Sequence, residues 1–217
     1  MHRGMHWLLL TAGVLGTAFG GGTDASYQPG NGVIVRQLAA GTLLVAGRNL
    51  PDPNFSETVV LLVEYSGDGA AGLVLNRPSG APLSRVLPSV QSAAGVASRA
   101  FSGGPVSTGT VLALSRAPCD GCRAIARDVH LVRSSDTLTA LLADDGDERR
   151  LRVYAGYAGW ARTQLEDEVR QGAWRVLAVD ARIVFDPNPS SLWRRMIERT
   201  EAVLANLLTR GLVNNAA

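Results

Sequence analysis

Two cysteines occur in the chain, and both stand in "APCDGCRA", residues 117–124. A Cys-x-x-Cys pair can do three kinds of chemistry. At the start of a helix its leading thiol is acidified and becomes a redox nucleophile. Joined to two further ligands it holds zinc. In an oxidising compartment it closes into a disulfide. The segment after Cys122 decides among them. "RAIARDVHLV" has no helical stripe, and its later part alternates like a strand. Asp120-Gly121 is a favoured turn pair, which puts the cysteines at the tip of a hairpin. No third and fourth metal ligands are evident. A Cys119–Cys122 disulfide is the leading reading, ahead of inert thiols, a redox-active pair and a metal site. So small a ring contributes about 2 kcal/mol before strain.

Other residue types offer less. Of three histidines, His2 and His6 lie at the extreme amino terminus and His130 stands alone in a strand-like segment. No Ser-His-Asp arrangement, G-x-S-x-G elbow or H-E-x-x-H motif is present. The run "DDGDE" (144–148) lacks the ligand spacing of a calcium loop, and Glu64 with Asp68 is a carboxylate pair such as any globular protein carries. Gly67, Gly69 and Gly72 match G-x-G-x-x-G after a strand. A dinucleotide site needs a helix next, whereas "GLVLNRP" is short, apolar and ends at Pro78. These glycines are read as a hairpin turn. No metal and no cofactor are implied.

Patterning supplies the scaffold around these residues. With 46% hydrophobic and 18% charged residues over 217 positions, one ordinary domain with extensions is expected. "GTLLVAG" (41–47) and "SETVVLLVEY" (56–65) read as strands, the second buried on both faces, and "NLPDPNF" (49–55) as the loop between them. "PLSRVL" (82–87) suits a helical turn, and 88–99 a surface loop. "TVLALSR" (110–116), "ARDVHLVR" (126–133), "RRLRVYAGYAG" (149–159) and "AWRVLAVD" (173–180) suit strands. Helices are predicted over 134–146, over 160–172 with a Thr163–Glu166 capping box, and over 189–208 with an apolar stripe including Trp193, Met196, Ile197 and Leu204.

The first 25 residues read as an address. Arg3 precedes an apolar run from Trp7 to Phe19, and small residues around Ala25 suit cleavage. The run is shorter than the roughly 20 residues that span a bilayer, so no stable membrane span is expected after cleavage. The layout is then a signal peptide over 1–25, a linker over 26–40, one domain over 41–210 and a tail over 211–217. Export to the periplasm is the expectation, with a cytoplasmic location as the alternative. The formal charge is +2 and every basic residue is arginine. Without a basic stripe or charge excess, a nucleic-acid partner is not indicated.

Three segments together carry a resemblance. "NLPDPNFSETVVLLVEYSGDGAAGLVLNRP", "SGGPVSTGTVLAL" and "VYAGYAGWARTQLEDEVRQGAW" resemble, in order and spacing, the YqgE/AlgH family of bacterial proteins over roughly residues 41–200. The resemblance implies an α+β fold: a bifurcated, mostly antiparallel sheet curled into a pseudo-barrel with helices packed outside. It implies no established biochemical activity, and one branch takes its name from a suggested role in regulating alginate production. The matching residues include Asp52, Pro53 and Phe55; Gly72, Asn76, Arg77 and Pro78; Gly103, Gly104, Pro105 and Val106; and Gly156, Tyr157, Gly159 and Trp160. The leader and the cysteine pair depart from the family pattern.

The function expected is a non-enzymatic binding or regulatory protein with a protein or small-molecule partner. The alternative is an enzyme or small-anion binder using Asp52, Asn76, Arg77 and the Gly103-Gly104-Pro105 turn, where Arg77 could pair an anion. A transcriptional regulator is a second alternative.

Overall fold

The computed structural model describes residues 37–87, 99–144 and 147–214. The expected leader, most of the linker, almost all of the 88–99 loop and the last three residues lie outside the described residues.

The apolar run after the first loop becomes β2 (Val59–Ser66), whose first five residues are all buried. It pairs with β1 (Thr42–Ala46) on one side and β3 (Gly69–Val74) on the other, both antiparallel. Ser66 faces Gly69, so Gly67-Asp68 is a two-residue turn and the expected hairpin forms. β10 (Trp174–Ala178) continues the sheet beyond β1.

β9 (Leu151–Ala161) is the strand on which the sheet forks. Its far end pairs with β3, from Gly69↔Ala161 to Gly72↔Ala158. Its nearer part pairs with β5 (Arg99–Ser102) in parallel, Phe101↔Tyr154, and β5 carries β4 (Pro78–Pro82). The opposite edge of β9 pairs with β6 (Val106–Ser115), followed by β8 (Val129–Val132) and β7 (Arg123–Ala126). The result is the α+β architecture that the resemblance implied, a curled and forked sheet that is antiparallel except at β5–β9.

Helices cover it. α1 (Leu83–Val86) and α2 (Ser135–Asp144) supply Leu83, Leu138 and Leu142 to a smaller core with Ala113, Val132 and Val153. The larger core joins β1, β2 and β3 to α5 (Pro189–Asn214) through Leu192, Trp193, Met196 and Ile197. The Trp193 indole donates to the Ala46 carbonyl at 2.8 Å, which fixes α5 on β1. α4 (Ala181–Val184) starts from Asp180, whose carboxylate accepts from the Arg182 amide.

Three local expectations are corrected. α3 (Gln164–Arg170) starts later than predicted, and Trp160 belongs to β9. The capping box does not form. Thr163 has φ +64 instead of the extended backbone of a capping residue, and Glu166 accepts from the Tyr65 hydroxyl at 2.7 Å instead. Nor are the cysteines at a hairpin tip. The hairpin partner of β7 is β8, turning at Arg127-Asp128, and Asp128 takes φ +57 there. The propensity of Asp120-Gly121 for a turn is real, but β8 fills the place beside β6 that a hairpin would have given β7.

Candidate functional site

The loop between β1 and β2 is pinned at every third residue. Asp52, Phe55 and Thr58 are buried, while Pro53, Asn54, Ser56 and Glu57 are exposed. One Asp52 carboxylate oxygen accepts from the Asn54 amide at 2.8 Å, and its carbonyl accepts from the Phe55 and Ser56 amides. The Thr58 hydroxyl donates to the Phe55 carbonyl at 2.7 Å. Glu57 is left with φ +56, a conformation that costs a non-glycine residue roughly 1 kcal/mol.

Asn76 and Arg77, leaving β3, hold that loop from the side. Asn76 Oδ1 accepts from the Val59 amide at 2.8 Å and Nδ2 donates to the Glu57 carbonyl at 2.9 Å. This side chain stands in for a neighbouring strand and secures the strained Glu57. The half-buried Arg77 guanidinium donates to three neutral carbonyls: Asn54 at 2.6 Å, Ser56 at 3.1 Å and Pro53 at 3.3 Å. Among the described residues it has no carboxylate partner.

The glycine turn lies beside this clamp. The Ser102 amide donates to the Arg77 carbonyl, the Val74 amide to the Gly103 carbonyl, and the Gly103 amide to the Ala155 carbonyl, at 2.8–2.9 Å. Gly103 and Gly104 are buried and Pro105 is exposed. A Cβ on Gly103 would fall on the Gly156 carbonyl. Gly156 has φ +71, and a Cβ there would meet the Gly104 carbonyl at 2.5 Å. All six predicted site residues therefore gather at the fork, where β3 parts from β9 and β5 enters. The side chains of Asp52, Asn76 and Arg77 bind backbone groups of the loop, and the Gly103 turn is joined to Val74 and Ala155 backbone to backbone.

Sequence reasoning missed a second polar centre. Glu168 on α3 is buried, and its carboxylate accepts from Trp174 Nε1 at 2.7 Å, Gln164 Nε2 at 2.9 Å and Trp160 Nε1 at 3.0 Å. Phe55 stacks on Trp160 with centroids 5.8 Å apart and meets the Trp174 ring edge-on at 5.9 Å. The first and third family segments thus meet in one aromatic cluster around a carboxylate. The signal available was two tryptophans flanking an acidic helix, six and eight residues from Glu168.

The other titratable candidates are dispersed. Tyr154 is fully buried beside Arg152; burial pushes its pKa up to about 12, against the opposing charge of Arg152. Arg152 is itself buried over the Phe101 ring at 4.8 Å and donates to the carbonyls of Val184 and Asp186. Cys119 and Cys122 are brought together, with Cα atoms 5.2 Å apart, on the smaller core and away from the fork. Among the described residues no cluster of His, Cys, Asp and Glu is arranged to hold a metal. No described helix is long and apolar enough to cross a membrane.

The chain is thus an α+β protein with a forked, curled sheet, whose branch point is held by Asp52, Asn76 and Arg77 and by close-packed glycines. The chain belongs to the AlgH-like family, whose profile matches residues 43–205. A UPF0301 protein of Streptomyces avermitilis is 40% identical over 176 residues, covering 78% of this chain and 90% of the relative. The UPF0301 protein AlgH of Pseudomonas aeruginosa is 37% identical over 171 residues, covering 76% and 86%. The solution structure of AlgH from Pseudomonas aeruginosa matches with a TM-score of 0.60 at 32% identity, covering 80% of this chain and 93% of that one. A crystal structure of a Corynebacterium diphtheriae protein shares the fold, with a TM-score of 0.64 at 23% identity over 76% of this chain and 88% of that one.

Proposed function

We propose that this chain is a non-enzymatic binding protein that presents the 53–57 loop to a partner. One observation carries the reading: the polar residues at the fork are spent on holding backbone. Asp52, Asn76 and Arg77 fix the loop's backbone and leave Pro53, Asn54, Ser56 and Glu57 exposed. A loop fixed before binding loses little further entropy on association, which is how rigid recognition loops gain affinity. A photo-crosslinking side chain at Asn54 tests this in the native host. A discrete adduct is expected at Asn54 and not at the exposed Arg127. Equal labelling at both positions, or turnover of a substrate at enzymatic rates, would refute it.

A second reading has its own support. The Arg77 guanidinium is half-exposed and faces neutral carbonyls alone among the described residues, so an anion beside the 53–57 loop would find an uncompensated charge. Thermal-shift screening with nucleotides and small acids separates the two, because a ligand of the native state raises the midpoint. Any such shift must vanish in Arg77→Ala.

The leader-like residues 1–25 and the cysteine pair support work outside the cytoplasm, with Cys119 and Cys122 disulfide-bonded. Intact mass of the protein from its native host tests both points. Residues 1 to about 25 should be gone, and the mass should fall two hydrogens short of the dithiol.

A further inference from the structure

β6 and β7 both run antiparallel to β8 and flank it, so they are parallel to one another with β8 between. β6 ends at Ser115, opposite His130, and β7 begins at Arg123, opposite Leu131. Residues 116–122 must therefore cross β8, where connections between parallel strands ordinarily take about a dozen residues or more. Packing fixes the side of the crossing. Cys119 and Cys122 lie against the smaller core that contains Val132. His130 shares that face of β8, two residues away. The strap is tightened by the Ser115 hydroxyl donating to the Ala117 carbonyl at 2.7 Å and the Cys122 amide to the Cys119 carbonyl at 3.1 Å.

The strand at the end of the strap is lightly held. β7 has four residues, stands at the edge of the sheet, and its ladder to β8 shifts register between Ala124 and Ala126. It reaches β2 through Arg123, whose guanidinium donates to the Val63 carbonyl at 2.5 Å. Its Ile125 carbonyl passes close to Gly41, where a Cβ would meet it at 2.6 Å. Short edge strands with shifted ladders open at lower free energy than a core strand.

We propose that Cys119–Cys122 is a reversible redox latch on β7, opened by an external dithiol; this rests on the disulfide reading above. Both cysteines are half-buried and Asp120 and Gly121 between them are exposed, so a small dithiol can reach the sulfurs. Its thiolate attacks one sulfur, the Cys119–Cys122 bond breaks, and the second thiol of the reductant closes on the mixed disulfide. The reductant leaves as a cyclic disulfide, and two electrons and two protons remain on the cysteines as thiols. The four-residue ring no longer restrains the strap, and β7 frays while β2 and β9 keep their ladders. Ring-closure entropy sets the scale at about a 20-fold rise in the open population.

Amide exchange by mass spectrometry on the full chain, with and without dithiothreitol, tests the latch alongside intact mass. Before reduction the mass should be two hydrogens below the dithiol. Reduction should speed exchange across 116–126 about 20-fold, leave β2 and β9 unchanged, and reverse on reoxidation. The double variant Cys119→Ser/Cys122→Ser should exchange at the reduced rate under both conditions. Thiols in the untreated chain would overturn the disulfide reading and the latch with it. An opened disulfide with unchanged exchange over 116–126 would overturn the latch alone. Faster exchange spreading to β2 and β9 would also overturn it, since the cross-link would then stabilise the whole fold.

Discussion

Replacing Asn76 by alanine removes two hydrogen bonds at once, and the two losses differ in size. Val59 is fully buried, and its amide donates to Asn76 Oδ1 at 2.8 Å. Left without an acceptor, that N–H costs about 1–3 kcal/mol. Glu57 is exposed, so its carbonyl can turn to water once Asn76 Nδ2 is gone. That bond is worth about 1 kcal/mol net. The sum is about 2–4 kcal/mol, and for a domain of this size it lowers Tm by roughly 5–15 °C. Urea unfolding followed by tryptophan fluorescence gives a direct measure, because Trp160, Trp174 and Trp193 are buried. The midpoint should fall by about 1–2 M with the slope unchanged. A loss below about 0.5 kcal/mol would contradict this account. The Val59 amide would then find another acceptor, and the fork would not depend on Asn76 for its rigidity.

Two other sites give sharp contrasts. Gly156→Ala should cost at least about 2 kcal/mol, since φ is +71 and the new methyl would meet the Gly104 carbonyl, whereas Gly67→Ala, with nothing within 4 Å, should stay within about 0.5 kcal/mol; denaturant midpoints compare them. Tyr154 carries a folded pKa of about 12 against an ordinary value of 10.0, so its neutral form is favoured in the fold. That contribution is whole below pH 10 and is lost as pH rises toward 12, by about 2–3 kcal/mol. Tyr154→Phe should flatten this alkaline decline in Tm and cost no more than about 1.5 kcal/mol at pH 7, the net worth of one hydrogen bond.

Local chemistry made some of this architecture readable. The valine-leucine run of β2, the Gly67-Asp68 turn and the stripe that seats Trp193, Met196 and Ile197 each encode their own role within a few residues. The family segments led to the fork, because glycines such as Gly103 and Gly156 are needed wherever backbones touch. Other features depend on partners far along the chain. β5 joins β9 in parallel from about fifty residues away in sequence, and no local pattern announces such a pairing. The Cys119–Cys122 segment has good hairpin chemistry, yet β8 occupies the position a hairpin would need. Thr163 and Glu166 have the types of a capping box, but Glu166 meets Tyr65 from a strand a hundred residues earlier. The family segments singled out Asp52, Asn76 and Arg77 as candidates without showing what their side chains touch. Only the distances show that Asn76 and Arg77 grip the loop's own backbone.

The placement of β9 also orders events on the ribosome. β3, β5 and β6 all pair with this one strand, which spans Leu151–Ala161. A nascent chain therefore carries most of its strands before their common neighbour emerges, and the forked sheet cannot close until then. Contacts this distant in sequence slow folding. They also mean that the β1–β2–β3 meander can pair early, while β5 and β6 must wait for their shared neighbour.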